Sequence, residues 1–230
     1  MIVGAGLKPA LSRATEGLEQ KMSVEQTTRA EPVLNIVGDK VALGPQRREL
    51  LPLYQRWIND FGTLRTLAQL PRPMTLEQEE AWYDSGPEQS DQFRFDIYER
   101  ATLLPIGNTS LAEVDFRNRT CIFGILIGEE AARGKGYGTE AARLMLDYAF
   151  TALGLHNVML TVYDFNEAGK RAYRKAGFRE FGRRREARFM GGKYWDELYM
   201  QALSTEFTSP VLGKILVPDV PRSSQVEHPH

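Results

Sequence analysis

The sequence predicts an α/β (α+β) domain: a central mixed, mainly antiparallel sheet with helices on both faces. Three observations predict it. Strand-like runs, alternating or continuously apolar, crowd the middle of the chain. A strand, a glycine-rich turn and a helix then follow in order, with a second strand and helix behind them. Last come two strand patterns flanking Gly191-Gly192, a hairpin signature.

Residues 1–32 are polar and without period, so they read as a flexible arm with a short helix at Glu16–Met22. The domain is expected over 33–203. Val33–Val37 and Lys40–Gly44 alternate like a short first strand or hairpin, and Arg47–Asp60 spaces Leu50, Leu51, Tyr54, Trp57 and Ile58 as a helix. Thr75–Tyr83 is a second helix, with Thr75 as N-cap and Gln78 at the capping-box position. Strands follow at Gln92–Tyr98, Leu104–Phe116 and Thr120–Ile127, the last apolar enough to be covered on both faces. Thr139–Leu153 is a helix with an apolar stripe at Ala141, Leu144, Met145, Tyr148, Ala149 and Ala152. Asn157–Tyr163 is a strand and Glu167–Ala176 a helix, before strands at Phe181–Phe189 and Tyr194–Ala202. Residues 204–230 read as a tail, in which Val211–Val217 is apolar enough to dock on a neighbouring surface.

Composition excludes several classes. Lys plus Arg number 29 against 30 Asp plus Glu, a net charge of -1, so neither nucleic acid nor an anionic membrane is an expected partner. No run approaches the ~20 apolar residues of a membrane span, and no secretory h-region opens the chain. A lone cysteine, Cys121, forbids an intrachain disulfide and fits a reducing compartment, so a cytoplasmic protein is expected. Of three histidines, His228 and His230 lie in the tail. One domain histidine, His156, argues against Ser-His-Asp or Cys-His catalysis and against a His-ligated metal, and no metal is expected.

The segment Gly124–Ala142 carries the strongest chemical signal. A strand runs into Arg133-Gly134-Lys135-Gly136-Tyr137-Gly138, and a helix opens at Thr139. Glycines without Cβ atoms let peptide N–H groups converge on phosphate oxygens, and the helix N-terminus adds a partial positive charge. A purely structural turn is the alternative. No Lys-Ser or Lys-Thr follows, so this is not a Walker loop; G-x-G-x-G in mid-chain is not a dinucleotide fingerprint. A di- or polyphosphate is the expected ligand.

Downstream, Asn166 is a good N-cap. Seven residues turn a helix by ~700°, so Asn166 and Tyr173 share a face, with Gly169 and Lys170 between them. Either Tyr173 is a core tyrosine and Gly169 a packing notch, or a ligand approaches the backbone at Gly169.

Arg133-x-x-Gly136-x-Gly138 resembles the pyrophosphate motif of the GNAT superfamily of N-acetyltransferases, and GILIGEEAARGKGYGTEA is similar to its ribosomal-protein N-terminal and spermidine acetyltransferase branches. The resemblance runs from about Val33 to Leu203 and includes Trp57-Ile58-Asn59-Asp60. It implies a sheet splayed between its fourth and fifth strands, here Thr120–Ile127 and Asn157–Tyr163, with acetyl-CoA in the cleft as acyl donor. It implies that Leu126, Ile127 and Gly128 meet pantetheine, and that Arg133, Gly134, Lys135, Gly136, Tyr137 and Gly138, with Thr139, hold the pyrophosphate. Asn166 and Lys170 would lie on the cofactor arm, and Tyr173 would protonate the departing thiolate. A hydroxyl is suited to this: amine attack on a thioester expels thiolate, and tyrosine, with an ordinary pKa of ~10, is protonated at neutral pH.

The implied reaction is acetyl transfer to a primary amine in a ternary complex. The acceptor is a protein N-terminus, a polyamine or a small aminated molecule, and a homodimer is an expected assembly. The chain departs from the family where many members carry a glutamate two residues before the strand's glycine: here Ile122 stands. Glu113, Asp115 or Asp60 acting through water, or bulk water itself, is left to take the proton. Cys121 reads as a core residue, His156 as solvent-facing, and Arg183-Arg184-Arg185 with Arg188 as a solvated strand edge. Two rival readings are a non-catalytic acyl-CoA-binding module and a generic nucleotide-phosphate binder.

Overall fold

Alternation of buried and exposed residues drives eight strands into one sheet in the computed structural model, which describes residues 31–67, 71–85 and 91–219. They are β1 (Ile36–Val37), β2 (Val41–Pro45), β3 (Phe93–Glu99), β4 (Pro105–Asp115), β5 (Thr120–Ile127), β6 (Asn157–Tyr163), β7 (Arg179–Met190) and β8 (Lys193–Leu203). Their spatial order is β1-β2-β3-β4-β5-β6-β8-β7. Every neighbouring pair is antiparallel except β5 and β6, which are parallel. The sheet is therefore mixed and mainly antiparallel, as the sequence predicts.

Helices cover both faces. On one, α4 (Tyr137–Asp147) and α5 (Glu167–Ala176) bury Ala141, Leu144, Met145 and Ala176 in the main core, against Cys121 and Phe123 of β5. On the other, α1 (Leu51–Asn59) sets Leu51, Tyr54 and Trp57 in a smaller cluster that reaches Leu126 of β5 and Leu76 of α3 (Leu76–Ser85). A short α2 (Phe61–Leu64) links α1 onward. Pro52 sits in the first turn of α1, where its missing N–H costs nothing. The capping box of α3 forms as read: Gln78 N–H donates to Thr75 Oγ1 at 3.3 Å, and Thr75 N–H to Gln78 Oε1 at 3.0 Å. α1 and β3 are tied by the buried Asp96, which accepts from Tyr54 at 2.7 and 2.8 Å and from Tyr98 at 3.2 Å. Burial pushes the Asp96 carboxyl up to about 7.

Three differences from the sequence reading have local causes. The helix expected at Thr139–Leu153 starts at Tyr137, and from Tyr148 to Ala152 it widens into a π turn. There Tyr148 packs edge-on against Phe93 and Phe95, at 5.7 and 5.1 Å between ring centres. β5 is not covered on both faces: only Cys121 and Phe123 are buried, and Gly124, Ile125, Leu126 and Ile127 line cavities. After β8 the chain folds back on the domain. Asp147, fully buried, accepts from the N–H groups of Val211 and Leu212 at 3.0 and 2.8 Å, and Leu212 of α6 (Leu212–Ile215) is 6% exposed. The arm helix expected at Glu16–Met22 and residues 220–230 lie outside the described residues.

Candidate acyl-donor cleft and its side pocket

β5 and β6 pair only at Thr120↔Asn157, Cys121↔Val158 and Ile122↔Met159. Beyond Ile122 the strands part, and the splay expected between them is present. Where pairing stops, Phe123 packs edge-on to Tyr173 (6.3 Å) and tilted on Phe178 (5.7 Å), which fastens α5 beside the gap. The gap opens as a cleft of about 410 Å³.

Of the residues expected there, Leu126, Ile127, Arg133, Gly134, Gly136, Tyr137, Gly138, Thr139, Asn166 and Tyr173 all line the cleft. Gly134 and Gly136 adopt φ of 75° and 87°, left-handed values that disfavour any other residue. Gly136 is the N-cap of α4, so the turn delivers the chain to the helix N-terminus. Among the described residues nothing accepts from the N–H groups of Gly134, Lys135 or Gly136. Among the described residues four cationic side chains, Arg65, Arg133, Arg171 and Lys175, share the lining, and no carboxylate does. Such a cleft suits a polyanion.

Three expected residues are not in the lining. Gly128 lies outside the lining: its N–H donates to Ile106 O at 3.0 Å, and a Cβ there would stand 2.1 Å from the Trp57 ring. Lys135 is exposed, its ammonium 5.9 Å from the Tyr137 ring centre. Lys170 shares the α5 stripe by spacing but turns away. Its ammonium donates to Asp164 Oδ1 at 2.8 Å and to Asp164 O at 2.5 Å, and pairs with Glu167 at 2.8 Å. A buried lysine takes the nearest carboxylates, here Asp164 in the turn before α5 and Glu167 in its first turn. Gly169 lines the cleft and is at the same time a packing notch. The Asn166 side chain accepts from Gly169 N–H at 2.9 Å, and a Cβ on Gly169 would stand 2.7 Å from Asn166 Nδ2.

Arg133 is held by the protein. Its Nε donates to Ile127 O at 3.2 Å, and Nη2 to Thr63 Oγ1 at 2.5 Å and to Gly128 O at 3.3 Å. The Trp57-Ile58-Asn59-Asp60 run braces the same corner. Trp57 Nε1 donates to Glu129 at 2.8 Å; Asn59 donates to Met74 O and accepts from Met74 N–H, both at 2.9 Å. Asp60 caps α2, accepting from Gly62 N–H at 3.0 Å and from Thr63 N–H and hydroxyl. Its bond with the Thr63 hydroxyl holds the carboxyl below its usual range. Tyr173 is half-buried, burial pushes its hydroxyl up to about 12, and among the described residues that hydroxyl has no hydrogen-bond partner.

The sequence reading missed Lys40. From the turn before β2 its ammonium donates to Lys135 O at 3.4 Å and stands 3.4 Å from where a Cβ of Gly136 would lie. Glu140 in α4's first turn holds that hairpin, accepting from Asp39, Lys40 and Val41 N–H groups at 2.8, 2.7 and 3.0 Å. No local motif announces a lysine some hundred residues away.

None of the carboxylates offered as bases lines the cleft: Asp60 is a cap, Asp115 holds Asn118 in the hairpin turn, and Glu113 is exposed at a bulge. His156 is half-buried with Nδ1 2.9 Å from Ser204 Oγ, not solvent-facing. Cys121 is buried, its thiol pushed up to about 12. Leu67, Ile125 and Leu126 also wall a second pocket of about 220 Å³ on the α1–α3 side.

A family model described as an acetyltransferase (GNAT) domain matches residues 41–179. The human alpha/beta-tubulin-N-acetyltransferase 9 is 32% identical over 63% of this chain and 75% of its own length. Spermidine N(1)-acetyltransferase of Escherichia coli K12 is 31% identical over 70% and 84%. The crystal structure of spermidine N-acetyltransferase from Vibrio cholerae in complex with CoA and spermine superposes with a TM-score of 0.68 at 26% identity, covering 74% of this chain and 98% of that one. No helix among the described residues is long and apolar enough to cross a membrane.

Proposed function

This chain belongs to the acetyltransferase (GNAT) family, and we propose that its cleft seats acetyl-CoA so that a primary amine, entering from the side pocket, attacks the acetyl carbon. It is an acetyl-CoA-dependent N-acetyltransferase. The observation that carries the residue assignments is the lining itself: open peptide N–H groups at Gly134–Gly136 and four cations without a carboxylate. A chain of phosphates fits these donors, because each N–H is preoriented and loses little entropy on binding. Lys40 adds a fifth charge at the turn. Leu126 and Ile127 would flank the pantetheine arm, and Asn166 and Tyr173 face it from α5.

Tyr173 is assigned as the acid that gives its proton to the departing sulfur. Raised to about 12 by burial, it stays protonated at neutral pH, which is the form an acid needs. The acceptor is an amine; polyamines, on which the spermidine relatives act by name, are one candidate class, and a protein N-terminus or small aminated molecule are others. A buried lone thiol is compatible with a cytoplasmic setting. A homodimer has a surface available, since among the described residues β7 ends the sheet with Phe181 and Phe189 exposed. Thiol release from acetyl-CoA over a panel of amines tests the reading. Release with at least one amine is expected. Saturable CoA binding without release for any amine defeats the transfer, and ADP bound as tightly as acetyl-CoA defeats the pantetheine assignment.

A further inference from the structure

Ile122 leaves the central strand without a carboxylate, and the side pocket supplies one from elsewhere. Glu79, on α3, is the one carboxylate among the described residues lining either cavity. It is 6% exposed, yet among the described residues no donor bonds its side chain and no cation lies in ion-pair contact with it. Among the described residues only Asn157 Oδ1 is a buried side-chain polar atom without a partner, so the Glu79 oxygens open to the pocket, where an entering cation can pair with them. Asn108 and Ser110 of β4 share the pocket, with no side-chain hydrogen bond of their own among the described residues. Gly124 of β5, opposite Ser110, leaves the floor open: a Cβ there would sit 3.2 Å from Ser110 Oγ. The pocket meets the donor cleft at Leu67, Ile125 and Leu126, the last of which would flank the pantetheine arm.

Arg94 is the second charged group in the lining. Its guanidinium lies 4.2 Å from the Trp82 ring centre; Nε and Nη2 donate to Gln92 Oε1 at 3.1 and 2.7 Å, and Nη1 to Trp82 O at 3.3 Å. It is fixed in place, so a second cation in the acceptor meets a standing positive charge.

Given an acetyl-CoA cleft, we infer that Glu79 holds and deprotonates the acceptor amine, and that Arg94 restricts the pocket to acceptors with a single ammonium group beside neutral or anionic groups, such as a peptide α-amine. The protons balance. Glu79 takes one from the entering ammonium, and the freed lone pair forms the C–N bond as the C–S bond breaks. Tyr173 gives its proton to sulfur and regains one from the nitrogen through solvent, and Glu79 then sheds its own to solvent. Burial raises the Glu79 carboxyl above its ordinary range, while Arg94, the charged group that faces it, opposes the shift.

The test uses the full chain, acetyl-CoA, and two probes: a lysine-free hexapeptide with a free α-amine, and spermidine. Glu79→Gln should lower kcat/KM for the peptide at least about 100-fold, keep acetyl-CoA affinity within about 2-fold, and remove the acid limb of the kcat/KM profile. Glu79→Asp, which keeps the charge, should recover part of the rate; this separates chemistry from a loss of fold. Wild type should prefer the peptide to spermidine, and Arg94→Gln should narrow that preference. Turnover indifferent to Glu79→Gln overturns the role of Glu79 alone. Preference for spermidine, or no turnover of the peptide, overturns the single-ammonium pocket. Failure of the wild type to bind acetyl-CoA defeats the cleft reading itself.

Discussion

The donor cleft and the side pocket share a wall at Leu67, Ile125 and Leu126, yet they are built in opposite ways. The cleft's anion end is backbone: a turn with two left-handed glycines opening a helix within six residues. The pocket is side chain, gathered from α1, α3, β3, β4 and β5. A backbone site depends on conformation, so one substitution that alters φ damages several donors at once. A side-chain site divides its work among residues, so each substitution removes one contact.

The largest test of that contrast is Gly136→Val. Valine resists a φ of 87°, and the turn must shift. Losing two charge-assisted bonds at about 2 kcal/mol each weakens acetyl-CoA binding about 1000-fold; titration calorimetry would read it, and unaltered affinity would break the backbone account. Next, Tyr173→Phe should lower kcat about 100-fold with cofactor affinity unchanged. Wild-type turnover in that variant removes Tyr173 as the acid. Because its pKa is pushed up to about 12, deprotonation of Tyr173 should cost rate only as the pH nears that value. On the pocket side, Asn108→Ala removes one contact worth about 1 kcal/mol and should raise the amine KM about fivefold while sparing the acetyl-CoA KM. Smallest in kinetics is Lys170→Met: cofactor affinity should not change, while stability falls by about 2 kcal/mol through the loss of the Asp164 and Glu167 contacts. A weakened cofactor KM would return Lys170 to the cleft.

The same contrast explains what could be read in advance. β5, β6 and α5 have the bounds their patterns predict, because alternation, an Asn cap and a glycine stop are local signals. Most of the glycine loop reached the cleft for the same reason. Helical spacing placed Lys170 with Asn166 and Tyr173, but four rotatable bonds let its ammonium follow Asp164 out of the cleft. Gly128 lies outside the lining for another non-local reason, since its N–H is taken by Ile106 O of the neighbouring strand. Lys40 and Glu79 carried no signal at all: one is an ordinary hairpin lysine, the other one of several glutamates on a polar helix.

The amino-acid order alone determined the strand and helix periods, the left-handed turn ahead of α4 and the hydroxyl on α5, since each depends on neighbours within about two helical turns. Tertiary structure alone decided where β5 and β6 separate, which cations gather at the opening, and that a glutamate from α3 comes to lie beside a strand lacking one. Those outcomes depend on contacts between residues far apart in the chain, and their geometry exists only after the sheet and both helical layers have packed.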